Sequence, residues 1–305
     1  MKRNKKLVIL LIIITLLGPM ASLYSLEIGA AFQIGDLGFA SDRLSTATDF
    51  PLLYPWGISF HGSQQVSETL GIDAGFYFDP VLNKVSYTLL TYTIQFFTIG
   101  VGPYFGFFNS DTAILKPGIS TSVKIDFPGL VFFQFRADSS ISARLVQEGD
   151  YLQERSDISA GFYVKNVIAS ANLFTKSYTY RAATAEVIDS FAEYSFKTDL
   201  YQKNVPYRIQ LSFAYQKRSK SFTDISTFVT VAHELNSIVI GTRLDLQVAD
   251  FLSIMVHLDS AMFSFGTAGD ALLDLPTSGP GSYLFNVSAG FVLDTDELFK
   301  LPLVQ

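Results

Sequence analysis

The chain has 305 residues, no Cys and a formal charge of −6, with 49% apolar and 14% aromatic residues. The absence of Cys excludes a disulfide framework, and the acidic balance argues against a nucleic-acid partner, because phosphate binding rests on basic patches. Beyond residue 25 no stretch approaches the roughly eighteen consecutive apolar residues that mark a membrane-crossing helix.

The first element is a leader. Lys2, Arg3, Lys5 and Lys6 precede an apolar run from Leu7 to Leu17, which ends in the small residues Ala21, Ser22 and Ser25. A basic start, a short apolar middle and a small-residue exit describe a secretory signal peptide, and the middle is too short to span a bilayer. Two segments follow from this: residues 1–25 as a cleaved signal, and residues 26–305 as one exported domain with a short C-terminal periplasmic tail. Cleavage removes four of the 22 basic residues, leaving 18 against 28 acidic ones and a formal charge of −10.

The exported part alternates along its length. In Val205 to Gln216 one face carries Val205, Tyr207, Ile209, Leu211, Phe213 and Tyr215, while Arg208, Gln210 and Ser212 lie on the other. Ile238 to Val248 and Tyr283 to Leu293 repeat the split. Residues two apart in a strand share a face, so each segment has one oily side and one wet side. A soluble sandwich alternates too. However, segments of about ten residues suit a tilted bilayer-crossing strand, and aromatic ends such as Tyr104 to Phe108 and Phe132-Phe133 suit interfacial girdles.

Long connections fall at 39–65, 109–113, 144–154, 181–189, 218–236 and 266–281, with short ones at 79–84, 127–129, 165–166, 200–204 and 249–250 between them. Longer extracellular loops alternating with short periplasmic turns predict an all-β fold, a closed antiparallel transmembrane β-barrel of about twelve strands, with both termini periplasmic. Ten to fourteen strands are compatible, because 85–108 divides near Phe96-Phe97 if it holds two strands, and 223–234 alternates poorly.

The signal peptide, the aromatic-glycine strand Leu70-Gly71-Ile72-Asp73-Ala74-Gly75-Phe76-Tyr77-Phe78 and the last strand from Tyr283 to Leu293 together resemble the porin-like outer-membrane β-barrel proteins of diderm bacteria, those of spirochaetes in particular. The resemblance implies Sec-type export, residence in the bacterial outer membrane among its lipids, and insertion by the barrel-assembly machinery. Ser288, Gly290 and Leu293 are the positions that match the terminal strand this machinery reads.

With the oily faces toward lipid, alternation places Asp73, Lys124, Asp126, Gln134, Arg136, Asp138, Glu193, Lys197, Arg208, Arg243, Asp245 and Asp259 inside. So many inward charges require water or close opposite-sign pairing. The leading functional expectation is a porin-like channel for small hydrophilic solutes. The alternatives are a non-conducting barrel whose loops bind a host or partner molecule, with Tyr54 and Trp56 as loop candidates, and a transporter of hydrophobic ligands. A hydrolase has thin support: His257 and Asp259 share a face, with Ser253 on the same strand. No cofactor or metal is expected, since no His cluster has ligand spacing.

Overall fold

The alternating segments pair each with the next, all antiparallel, in a computed structural model that describes residues 26–35, 56–79, 83–107, 115–140, 150–181, 183–201, 205–268, 271–272 and 284–295. The signal-peptide expectation at 1–25 and the candidate Tyr54 lie outside these residues. The strands are β1 (Leu26–Gly35), β2 (Trp56–Gln65), β3 (Leu70–Asp79), β4 (Asn83–Ile94), β5 (Phe97–Phe107), β6 (Leu115–Phe127), β7 (Val131–Ser140) and β8 (Asp150–Val164). They continue as β9 (Val167–Arg181), β10 (Ala185–Tyr201), β11 (Tyr207–Asp224), β12 (Thr230–Ala249), β13 (Leu252–Ala268), the two-residue β14 (Ala271–Leu272) and β15 (Phe285–Asp294).

The ring closes because β15 pairs with both β13 and β1. With β14 attached only to the end of β13, fourteen strands form the barrel wall. Closure leaves no strand edge, which is how a sheet satisfies its backbone in lipid. Glu27 lies opposite Asp294, and the Thr295 hydroxyl donates to the Leu26 carbonyl at 2.9 Å, so the first and last strands meet at the end that carries the short turns.

Fourteen strands rather than twelve arise at two places. The connection expected at 39–65 contains β2, whose pattern fades after Phe60 into Gly62, Ser63, Gln64 and Gln65. The stretch 85–108 divides at a two-residue turn in which Gln95 takes φ 52°, without the Gly or Asn that usually announces such a turn. The 223–236 region adds no strand of its own: β11 and β12 run through it, from Thr230 opposite Thr223, leaving only 225–229 between them. The added strands put the end of β3 at Asp79 and the start of β4 at Asn83 on the long-loop end, whereas the sequence predicts a short turn of the opposite end at 79–84.

The exposed pleat is apolar. On β11 it shows Tyr207, Leu211, Phe213 and Tyr215, and on β5 Phe97, Ile99 and Val101. Aromatic rings gather near its margins: Phe96 stacks on Phe127 at 4.3 Å at the turn end, and Tyr194 meets Tyr215 at 6.3 Å toward the loop end. Trp56 is the first residue of β2 rather than part of a loop. It faces outward, stacked on Phe32 at 6.3 Å and edge-on to Phe78 at 5.1 Å, as an interfacial ring does. Strands β8 to β13 are longer than β1 to β7, and past Tyr194 and Tyr215 their outward residues turn polar, with Lys217 paired to Glu234 at 2.9 Å. That wall therefore rises clear of the apolar band.

Candidate functional site

The inward pleat falls into two sectors. Along β3 to β8, and at the loop end on through β9 to β11, it is packed. Tyr104, Tyr151, Gln153, Val85 and Leu89 are fully buried on a sheet with no second layer behind it, so side chains from across the lumen must cover them. Tyr151 on β8 donates to the Gly106 carbonyl on β5 at 2.9 Å, beyond the two strands between them. The Arg155 guanidinium of β8 reaches the Tyr77 ring of β3 at 5.1 Å, and Arg136 of β7 lies 3.6 Å over the Tyr87 ring of β4.

Glycines make this zipper possible. A Cβ at Gly75 would come within 2.5 Å of the Tyr87 ring, and one at Gly106 would strike the Gln153 amide. Charge inside the packed sector is neutralised in place. Asp138 is 0% exposed and holds Arg136 at 3.1 Å while accepting the Ser120 hydroxyl, and Asp189 holds Arg218, 2% exposed, at 2.7 Å.

The other sector, toward the turn end and along β10 to β15, is wet. Lys124 (48% exposed), Arg208 (44%) and Arg243 (39%) face inward and still meet solvent. Lys124 pairs with Asp126 at 2.9 Å, and Asp126 also accepts the Tyr163 hydroxyl at 3.0 Å. Arg208 pairs with Asp199 at 2.8 Å, Arg243 with Asp245 at 2.8 Å, and His257 Nε2 with Asp259 at 3.0 Å. Glu193 accepts from Gln216 at 2.8 Å, Asp73 from the Tyr87 hydroxyl at 3.4 Å, and Lys197 lies opposite Ser212 on β11.

The expected inward residues therefore spread around the wall instead of gathering at one point. The inward set expected from alternation lacks Arg155, Asp157, Asp189, Asp199 and Arg218, together with the tyrosines that bind the packed sector. One signal could have revealed part of this: a basic residue followed two residues later by Asp recurs at Lys124/Asp126, Arg136/Asp138, Arg155/Asp157 and Arg243/Asp245, and His257/Asp259 has the same spacing, always on one face. The hydrolase arrangement does not assemble. Ser253 lies four residues from His257 along the same extended strand, about 13 Å at some 3.3 Å per residue, far outside the hydrogen-bond reach that a nucleophile and its base require.

A closed antiparallel ring, apolar and aromatic-belted outside and charged inside, is a transmembrane β-barrel of the bacterial outer-membrane type. No family model matches the sequence, and no curated protein matches it. Among solved structures the chain is similar to a bacterial polysaccharide outer membrane secretin, at 8% identity and a TM-score of 0.47 over 88% of this chain and 98% of that one. It is also similar to an outer membrane channel from Pseudomonas putida F1, at 6% identity and a TM-score of 0.45 over 89% and 95%. A third is a loop-deletion mutant of OmpT, an outer membrane protein of Vibrio cholerae, at 9% identity and a TM-score of 0.42 over 89% and 99%. These likenesses concern architecture, and the functional reading rests on the barrel's own interior.

Proposed function

We propose that the protein is a channel of the bacterial outer membrane through which small hydrophilic solutes diffuse along the wet sector of the lumen. In this reading the leader directs Sec-type export, the barrel-assembly machinery inserts the chain, and both termini and the short turns face the periplasm. The observation that carries it is the solvent exposure of the inward ion pairs Lys124–Asp126, Arg208–Asp199 and Arg243–Asp245. An eight-stranded barrel fills its interior with side chains, whereas sixteen strands leave an aqueous channel. Fourteen strands with one sector packed leave an off-centre path. Purified barrel added to planar lipid bilayers is expected to produce stepwise ion conductance; a persistent lack of steps at high salt and voltage would sink the reading.

A second reading has an observation of its own. At the tip of the tall β11–β12 hairpin, well beyond the apolar band, Phe228 is 84% exposed with Val229 beside it, and such a tip suits a non-conducting surface barrel that grips a partner. Phe228→Ser would then abolish partner or cell binding with the barrel still folded, while leaving conductance untouched.

A further inference from the structure

We infer that the lumen selects for cations, which names the solute class of the channel proposed above and rests on that proposal. Ion pairs present no net charge to a passing solute, so the groups outside such pairs decide selectivity. Among the described residues, no Lys or Arg ion pair reaches the inward carboxylates Glu27, Asp73, Glu193 and Asp259. Among the described residues none of their partners is an ammonium or guanidinium group: the Tyr87 hydroxyl contacts Asp73, the Gln216 amide Glu193, and the Asn286 amide with the His257 imidazole Asp259. Against these four stand two inward lysines outside an ion pair among the described residues of β10 to β15: Lys197, and Lys220, which lies opposite Asp189 toward the loop end and away from the turn-end path.

The packed sector does not offset this excess with its guanidiniums, because Arg136, Arg155 and Arg218 are matched by Asp138, Asp157 and Asp189 at 3.1, 3.8 and 2.7 Å. Its lysines Lys116 and Lys176 lie against the Tyr151 and Phe191 rings rather than along the wet wall. A water path edged by surplus carboxylate and walled by low-dielectric protein focuses its field and concentrates counter-ions. Cations should therefore be enriched over anions along the path.

The test is the zero-current potential of the reconstituted barrel under a KCl gradient. At about 0.1 M salt, where the screening length is about 10 Å, the sign should report K⁺ permeating ahead of Cl⁻. The preference should fade near 1 M, where the screening length is about 3 Å. Asp73→Asn with Glu193→Gln and Asp259→Asn should bring the permeability ratio toward one, and Lys197→Gln should raise it. Conductance with Cl⁻ preferred, or a ratio unmoved by the triple variant, overturns the inference and leaves the channel standing. If no conductance is seen the channel reading fails, and equilibrium dialysis of spermidine against the detergent-folded barrel decides the inference separately. Stronger binding to the wild type than to the triple variant supports an acidic lumen; equal binding overturns it.

Discussion

Replacing Arg136 by Met leaves Asp138 as a fully buried carboxylate whose counter-charge has gone, and replacing Asp138 by Leu strands Arg136 over Tyr87. Breaking one side of a buried ion pair costs about 3–5 kcal/mol, whereas replacing both partners with apolar residues of similar volume is often neutral. The Arg136 variant also loses its stacking on Tyr87, worth up to about 2 kcal/mol when desolvated. The double variant leaves the Ser120 hydroxyl without its acceptor, a loss of about 1–3 kcal/mol. Each single variant should therefore lose at least about 3–5 kcal/mol, and the double, which loses both the stacking and the Ser120 bond, about 1–5, so the two changes are strongly non-additive. Urea unfolding in phospholipid vesicles reads this directly through Trp56, the chain's one Trp, which sits on the outer face. Losses that add to within about 0.5 kcal/mol would mean that the two side chains act independently, and the zipper account of the packed sector would then be refuted.

Two further outcomes follow from local geometry. Gly75→Ala drives a methyl to 2.5 Å from the Tyr87 ring and should cost about 1–3 kcal/mol. Gly62→Ala, whose nearest new neighbour is the Glu27 carbonyl at 3.6 Å, should stay within about 0.5 kcal/mol, and thermal unfolding of the two variants separates them. At the β11–β12 turn, outside the membrane-spanning region, the Ser226 hydroxyl and the Thr227 and Ser226 amides all donate to Asp224 and hold its carboxyl below the usual carboxylate range. Because the folded value is depressed, the turn's stabilisation is present above the unfolded carboxyl value of about 3.9 and is lost as pH falls through the folded one. The protection factors for amide exchange at Ser226 and Thr227 should fall over that acidic window, and Asp224→Asn should remove that fall.

The barrel itself was legible because lipid outside and water inside impose a period of two on every strand, as on β11 from Tyr207 to Tyr215. What stayed hidden needed register. Gln95 and Phe96 make a turn without a turn residue, and the Gln and Ser positions at the end of β2 read as a loop. Same-strand pairs such as Arg243 and Asp245 could be read two residues apart, but Arg208 with Asp199 and Arg218 with Asp189 are diagonal partners on neighbouring strands, visible only once β10 is aligned with β11. The division of the lumen depends on contacts made across several strands, such as Arg155 to Tyr77, and no local pattern in either segment announces them.

A chain without Cys allows the central claim to be tested one residue at a time. Single Cys substitutions from Tyr207 to Tyr215, treated with a water-soluble maleimide in sealed lipid vesicles, should react at Arg208, Gln210 and Ser212, which line the wet sector. Tyr207, Ile209, Leu211, Phe213 and Tyr215 should be shielded by lipid, and Ala214, buried against Leu235 and Val239, should stay silent although it faces inward. Uniform labelling along β11, or labelling of the alternate set, would contradict a lipid-embedded barrel with water inside.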